Sequence, residues 1–162
     1  MAKKTRKDIT SELDEIDREI LSILKRNART SLSDISIEVG LSSPSISDRI
    51  MKLEKMGLIR GYTLVMDYRK LGLGITAFVG VTLEHPQCCR GDVVKELVKI
   101  PQITEGHFTD GEEDMLVKVV TEDTASLMEI LAKITSINGV NRTKTTIVLS
   151  TPIDSRSPEK TL

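Results

Sequence analysis

Serine, arginine, lysine and aspartate recur through LSSPSISDRIMKLEK, Leu41 to Lys55, at spacings that gather several of them on one side of a helix. With Ile46, Ile50 and Leu53 at i, i+4 and i+7 turned inward, the outer face shows Ser45, Asp48, Arg49 and Lys52, and Ser43 and Lys55 stand at its ends. These groups suit a nucleic-acid groove. Serine hydroxyls donate or accept, Arg and Lys reach guanine or phosphate, and a helix N-terminus attracts phosphate. The same pattern also fits a three-helix bundle whose polar face is merely solvated.

A second group is DGEEDML, Asp110 to Leu116, where a glycine turn is followed by Glu112, Glu113 and Asp114. Three acids in a row make a solvated hairpin loop; a hard-metal site needs more convergent oxygens than one turn supplies. His85, Cys88 and Cys89 lie within five residues, yet no fourth ligand recurs at zinc-like spacing, and they read as an incidental loop. His107 falls in a strand, in a structural or interface role. No nucleophile elbow or phosphate-cradling glycine loop is present and no His-acid pair is placed for acid-base work, so neither an enzyme nor a metal or cofactor is expected.

Positioning these groups takes elements that the 162 residues can build as one ordinary domain or two small ones. Both charge signs are mixed along the chain, as in soluble globular proteins. Residues 1–61 carry 12 Lys or Arg against 10 Asp or Glu, and residues 62–162 carry 11 against 14. That slight asymmetry permits a nucleic-acid partner for the N-terminal half without demanding one. With two Phe, two Tyr and no Trp, base stacking is not the main device. No apolar run is long enough to span a membrane, the charged start MAKKTRKD lacks a signal-peptide core, and the adjacent cysteines fit a reducing compartment, so a cytoplasmic location is expected.

Leu13, Ile16, Ile20, Ile23 and Leu24 set a helical period running to about Asn27. Ser31 or Ser33 can cap a short second helix that Gly40 ends, and Ser42 or Ser43 can cap a third whose first turn holds Pro44. After Gly57, LIRGYTLVMDY reads as two extended pieces pivoting at Arg60 and Gly61, a β-wing with Arg60 placed to touch phosphate. YRKLGLG reads as a hinge. From Ile75 the pattern becomes strand, helix, two strands, helix, strand: ITAFVGVTLE, DVVKELVKI (with Val93, Val94, Leu97 and Val98 apolar), QITEGHFTD, DMLVKVVT, a helix bearing Leu127, Ile130, Leu131 and Ile134, and NRTKTTIVLST. This is the split βαββαβ unit of a ferredoxin-like fold, whose sheet is covered by helices on one face only. Phe78, Leu116, Val120 and Val148 on the other face are too apolar to leave in water, which predicts sheet-to-sheet dimerisation.

The predicted class is therefore α+β: a basic arm (1–12), a winged helix-turn-helix (13–66), a hinge (67–74), a ferredoxin-like domain (75–151) and a polar tail (152–162). LDEIDREILSILKRNART followed by VGLSSPSISDRIMKLEKMGLIRGYTLVMDYRKLG resembles the DNA-binding half of the Lrp/AsnC, or feast/famine, family of prokaryotic regulators, and suggests an archaeal member. Leu13-Asp14, Ile16-Asp17, Ala28-Arg29, Gly40-Leu41-Ser42, Arg49, Leu53-Glu54, Gly57 and Ile59 carry the likeness, which extends to about Thr151.

The resemblance implies a regulator that binds double-stranded DNA through Ser42, Ser43, Ser45, Asp48, Arg49, Lys52 and Arg60. It also implies dimers that assemble further, to octamers, and a small amino-acid effector. The family's Gly-x-x-Asp hairpin corresponds to Gly111, Glu112, Glu113 and Asp114 here, where turn amides can hold an α-carboxylate and Asp114 an α-ammonium. Thr135 and Ser136 are candidates to complete the pocket from a neighbouring subunit. Asp110, Glu113 and Met115 replace the family's usual Thr and aromatic neighbours, and the extra acids favour glutamine or lysine ahead of leucine. Two alternatives remain from the sequence: an amino-acid-binding assembly module whose N-terminal half makes protein contacts, and a small metabolic enzyme.

Overall fold

The computed structural model describes residues 12–153, which fall into two compact units dividing between Val65 and Met66. Most of the basic arm and most of the polar tail expected from the sequence lie outside the described residues.

The first unit is three helices: α1 (Glu15–Arg26), α2 (Leu32–Val39) and α3 (Ser43–Lys55). Each starts where an oxygen-bearing side chain meets a free amide. Asp14 accepts from the Asp17 amide, Ser31 from Asp34 and Ser42 from Ser45, so the first-turn donors are satisfied locally. Gly40 stops α2 at φ +75°, a left-handed conformation that glycine adopts without a Cβ penalty, and this makes the tight turn into α3 possible. Ile20, Ile23, Ile35, Ile46 and Leu53 form the core of the unit, with Leu13 buried just ahead of α1.

The expected wing does not form within the chain: among the described residues, none between Met56 and Asp67 is in a strand. The amides of Leu58 and Ile59 both donate to the Leu53 carbonyl, closing off α3 rather than starting a ladder. Ile59 packs on the helical core, while Tyr62, Leu64, Val65 and Met66 run on as exposed apolar side chains. Two extended pieces need paired backbone groups to become a hairpin, and here the first piece has spent its amides on the helix end.

The second unit opens with a 3-10 turn, Tyr68–Leu71, whose start is capped by Asp67. It continues as β1 (Ile75–Leu83), α4 (Pro86–Leu97), β2 (Ile103–Phe108), β3 (Met115–Thr121), α5 (Thr124–Thr135) and β4 (Val140–Ile147). The strands form one antiparallel sheet in the order β2-β3-β1-β4, with Val79 opposite Val117 on one side and Thr145 on the other. The fold is α+β and ferredoxin-like. Ala77, Val79, Val81, Met115, Val117 and Val119 line the covered face and pack under Val93, Leu97, Leu127, Ile130 and Ile134 of the two helices.

Two local expectations need correction. The helix after β1 begins at Pro86, so Cys88 and Cys89 lie in its first turn rather than in a loop; proline tolerates that position because its missing N–H has no partner there anyway. Val98 is exposed rather than on the apolar face, because it follows the last helical residue and Val93, Leu97 and Ile100 already fill the inward stripe.

Candidate nucleic-acid interface and effector hairpin

Helix α3 is organised by a carboxylate on α1. Asp17 sits in the stripe that buries Leu13 and Ile20, at i+4 from one and i−3 from the other, and its side chain has 0% exposure. Burial would raise its pKa, but Lys52 and Arg49 reverse that and hold the carboxyl below its ordinary value. One oxygen accepts from Arg49 Nη1 at 2.7 Å and the other from Lys52 Nζ at 2.7 Å. Arg49 Nη1 also donates to Asp14 Oδ2 at 2.6 Å. The Arg49 hydrogen bond, with the cap bond from the Asp17 amide, keeps Asp14 low as well, and Asp14 and then Asp17 raise Arg49.

The sequence-predicted reading residues therefore divide. Ser42 caps α3 and its hydroxyl lies 2.8 Å from that of Ser45, so both are engaged at the helix start. Ser43 is half-buried in the first turn. Arg49 and Lys52 point along the flank toward α1, forming with Asp14, Ser45 and Asp48 a shallow depression of about 380 Å³. Asp48 is exposed and has no hydrogen-bond or ion-pair partner among the described residues. Arg60 is exposed in the extended segment after α3. Sequence reasoning placed Asp17 only as part of the family likeness; an acid inside an otherwise apolar helical stripe was the signal of a buried ion pair.

In the second unit, the β2–β3 hairpin closes through the Thr109 amide, which donates to the Asp114 carbonyl at 3.0 Å, and the Thr109 hydroxyl, which donates to the Glu113 carbonyl. Asp114 turns one carboxylate oxygen back to the Leu83 amide at 2.8 Å, tying the hairpin to the end of β1. Glu113 reaches over the uncovered sheet face, where a Cβ on Gly80 would stand 2.5 Å from its Cγ. Lys144, opposite Gly80 in the register, lies 3.4 Å from both Glu112 and Glu113. The Thr82 hydroxyl, two residues along the same face of β1, is buried without a partner among the described residues. Gly111 is exposed at the tip.

Thr135 and Ser136 end α5 and donate their hydroxyls to the carbonyls of Leu131 and Lys133. Ser136 lines a groove of about 610 Å³ between α4 and α5, with Asp92, Lys95, Glu96 and Lys133 among its other walls, and no hairpin residue borders it. Among the described residues, no three His, Cys, Asp or Glu side chains cluster to hold a metal, and no helix is long and apolar enough to cross a membrane.

Comparison with known families matches residues 13–60 to a winged helix-turn-helix DNA-binding model and residues 76–158 to the Lrp/AsnC ligand-binding domain. The transcriptional regulator FL11 of Pyrococcus horikoshii is 38% identical over 139 residues, covering 86% of this chain and 91% of that protein. The chain belongs to the Lrp/AsnC family. Its fold is shared across it: E. coli AsnC superposes with a TM-score of 0.82 at 29% identity, over 90% of this chain and 97% of that one. A Neisseria meningitidis transcriptional regulator, NMB0573, solved with L-Met, gives a TM-score of 0.83 at 26% identity, over 90% and 96%. These Lrp/AsnC relatives are DNA-binding transcriptional regulators, not enzymes.

Proposed function

We propose that this chain is a sequence-specific transcriptional regulator whose assembly and DNA affinity respond to a small amino acid. The observation that carries the reading is the capped α3, presented by a tight Gly40 turn with a polar outer face, in a chain of a DNA-binding family. Backbone phosphates fall to Lys55 and Arg60, exposed cations without ion-pair partners among the described residues.

The effector belongs at the hairpin Gly111 to Asp114. One Asp114 oxygen is spent on Leu83, which leaves the other for an α-ammonium, and the exposed turn amides suit an α-carboxylate. Lys144 offsets Glu112 and Glu113, so the electrostatic reason to favour a lysine ligand weakens and an uncharged side chain such as glutamine or methionine fits better; NMB0573 carries L-Met. Thr135 and Ser136, already donating to their own helix, are left to accept hydrogen bonds from a ligand or a second subunit.

The uncovered sheet face, with the half-buried Phe78, Leu116 and Val148, is the dimer surface, whereas Val120, expected there from the sequence, is already buried within the chain; dimers assemble further, to octamers. Ligand binding between dimers then shifts the assembly and, with it, operator affinity. The test is selection of duplexes from a random pool by the intact protein, followed by binding at several salt concentrations. A recovered motif bound with steeply salt-dependent affinity supports the reading; recovery of no motif overturns it and favours an assembly module.

A further inference from the structure

Three stripes run along α3, each at the i, i+4, i+7 spacing. Ile46, Ile50 and Leu53 face the core. Ser45, Arg49 and Lys52 face the flank beside α1, where the two cations are held by Asp17 and the serine hydroxyl is held by Ser42. Pro44, Asp48, Met51 and Lys55 occupy the third, at the pole opposite the core, and all four are exposed. Arg49 keeps only 27% of its side chain exposed and Lys52 46%, so the stripes differ less in exposure than in ties: both cations are held by Asp17, whereas the apolar Met51, 43% exposed, sits among side chains with no such hold.

Turning Arg49 or Lys52 toward a base would strip a partner from a carboxylate with no access to water, which is the arrangement proteins avoid. Asp48 has no such tie. We propose that Asp48 and Met51 are the base-reading side chains of α3, and that Arg49 and Lys52 are positioning residues acting through Asp17. This rests on the DNA-binding reading above.

The chemistry gives a definite preference. A carboxylate only accepts, so in the major groove it pairs with the amino group of cytosine and is repelled by the acceptor edges of guanine. The Met51 side chain packs against a thymine methyl. One helical turn separates Asp48 from Met51, so the half-site carries a cytosine and a thymine close together, and no guanine preference traceable to Arg49. Because a carboxylate also faces phosphates, Asp48 lowers affinity for every duplex and returns selectivity in exchange.

The experiment is motif selection and duplex titration with the intact wild type, Asp48→Ala, Met51→Ala, Lys52→Met and Lys52→Arg, with melting temperatures recorded for each. Asp48→Ala is expected to relax the cytosine position about fivefold or more and to tighten binding to an unrelated duplex. Met51→Ala relaxes the thymine position. Lys52→Met weakens binding to all duplexes alike without altering the motif, and Lys52→Arg, which keeps a cation against Asp17, restores wild-type binding. A motif unchanged in Asp48→Ala, or a guanine preference lost in Lys52→Met, overturns the assignment. Absence of any wild-type motif overturns the DNA-binding reading itself.

Discussion

Both units hold acids against cations, yet the two clusters differ in the variable that decides what a charge can do. At α1 and α3, Asp17 is sealed from water and each of its oxygens has a short charge-assisted partner. At the hairpin, Glu112 and Lys144 are largely exposed and meet at 3.4 Å. A buried carboxylate fixes its partners, because releasing one leaves an unpaired charge; an exposed pair exchanges with water at little cost. The first cluster is therefore fixed architecture for α3, and the second is free to rearrange at little cost.

Breaking the buried cluster has the largest expected effect. Arg49→Ala leaves Asp17 with Lys52 alone and is expected to cost about 2 kcal/mol, less than a fully buried pair because Arg49 retains some exposure; melting of the intact protein by circular dichroism checks it. Acid acts on the same cluster. Asp14 and Asp17 have folded pKa values below their unfolded ones, so their contribution is complete above about pH 4 and is lost as pH falls through the lower folded values. The melting temperature should therefore fall more steeply below pH 4 in the wild type than in Asp17→Asn.

Smaller effects sharpen the contrast at the hairpin. Asp114→Ala leaves the Leu83 amide without its acceptor, at about 1 kcal/mol. It should also abolish the melting shift produced by whichever of the twenty amino acids stabilises the wild type. A shift that survives the substitution unchanged removes Asp114 from the pocket. Smallest of all, Lys144→Ala should leave the melting temperature where it is while altering the ranking of amino acids, because its partners Glu112 and Glu113 lose their neutralising charge.

Local grammar was legible where one residue type has one job. Gly40, Pro44 and a serine at position 42 or 43 announced the start of α3, with Ser42 proving to be the cap, and strict alternation from Ile75 to Leu83 announced β1 and its covered face. Spacing also placed Ser45, Arg49 and Lys52 on a polar side of α3, but a periodicity does not say which flank meets another helix. That depends on Asp17, 32 residues away from Arg49 in sequence. The wing failed for a related reason: extended propensity in Leu58 to Tyr68 was real, but strands exist only through partners, and Leu53 had already taken two of the amides. At the hairpin, the acids were visible as a turn, while the reach of Asp114 back to Leu83 and of Glu113 over Gly80 follows from sheet register.

Titrating a fluorescent duplex carrying the selected motif with the intact protein, across a salt series and with each amino acid at saturation, tests the central claim most directly. The account predicts affinity that falls steeply with salt, exceeds that for an unrelated duplex at every salt concentration, and shifts with one uncharged amino acid. Equal affinity for both duplexes, with no response to any amino acid, would contradict it.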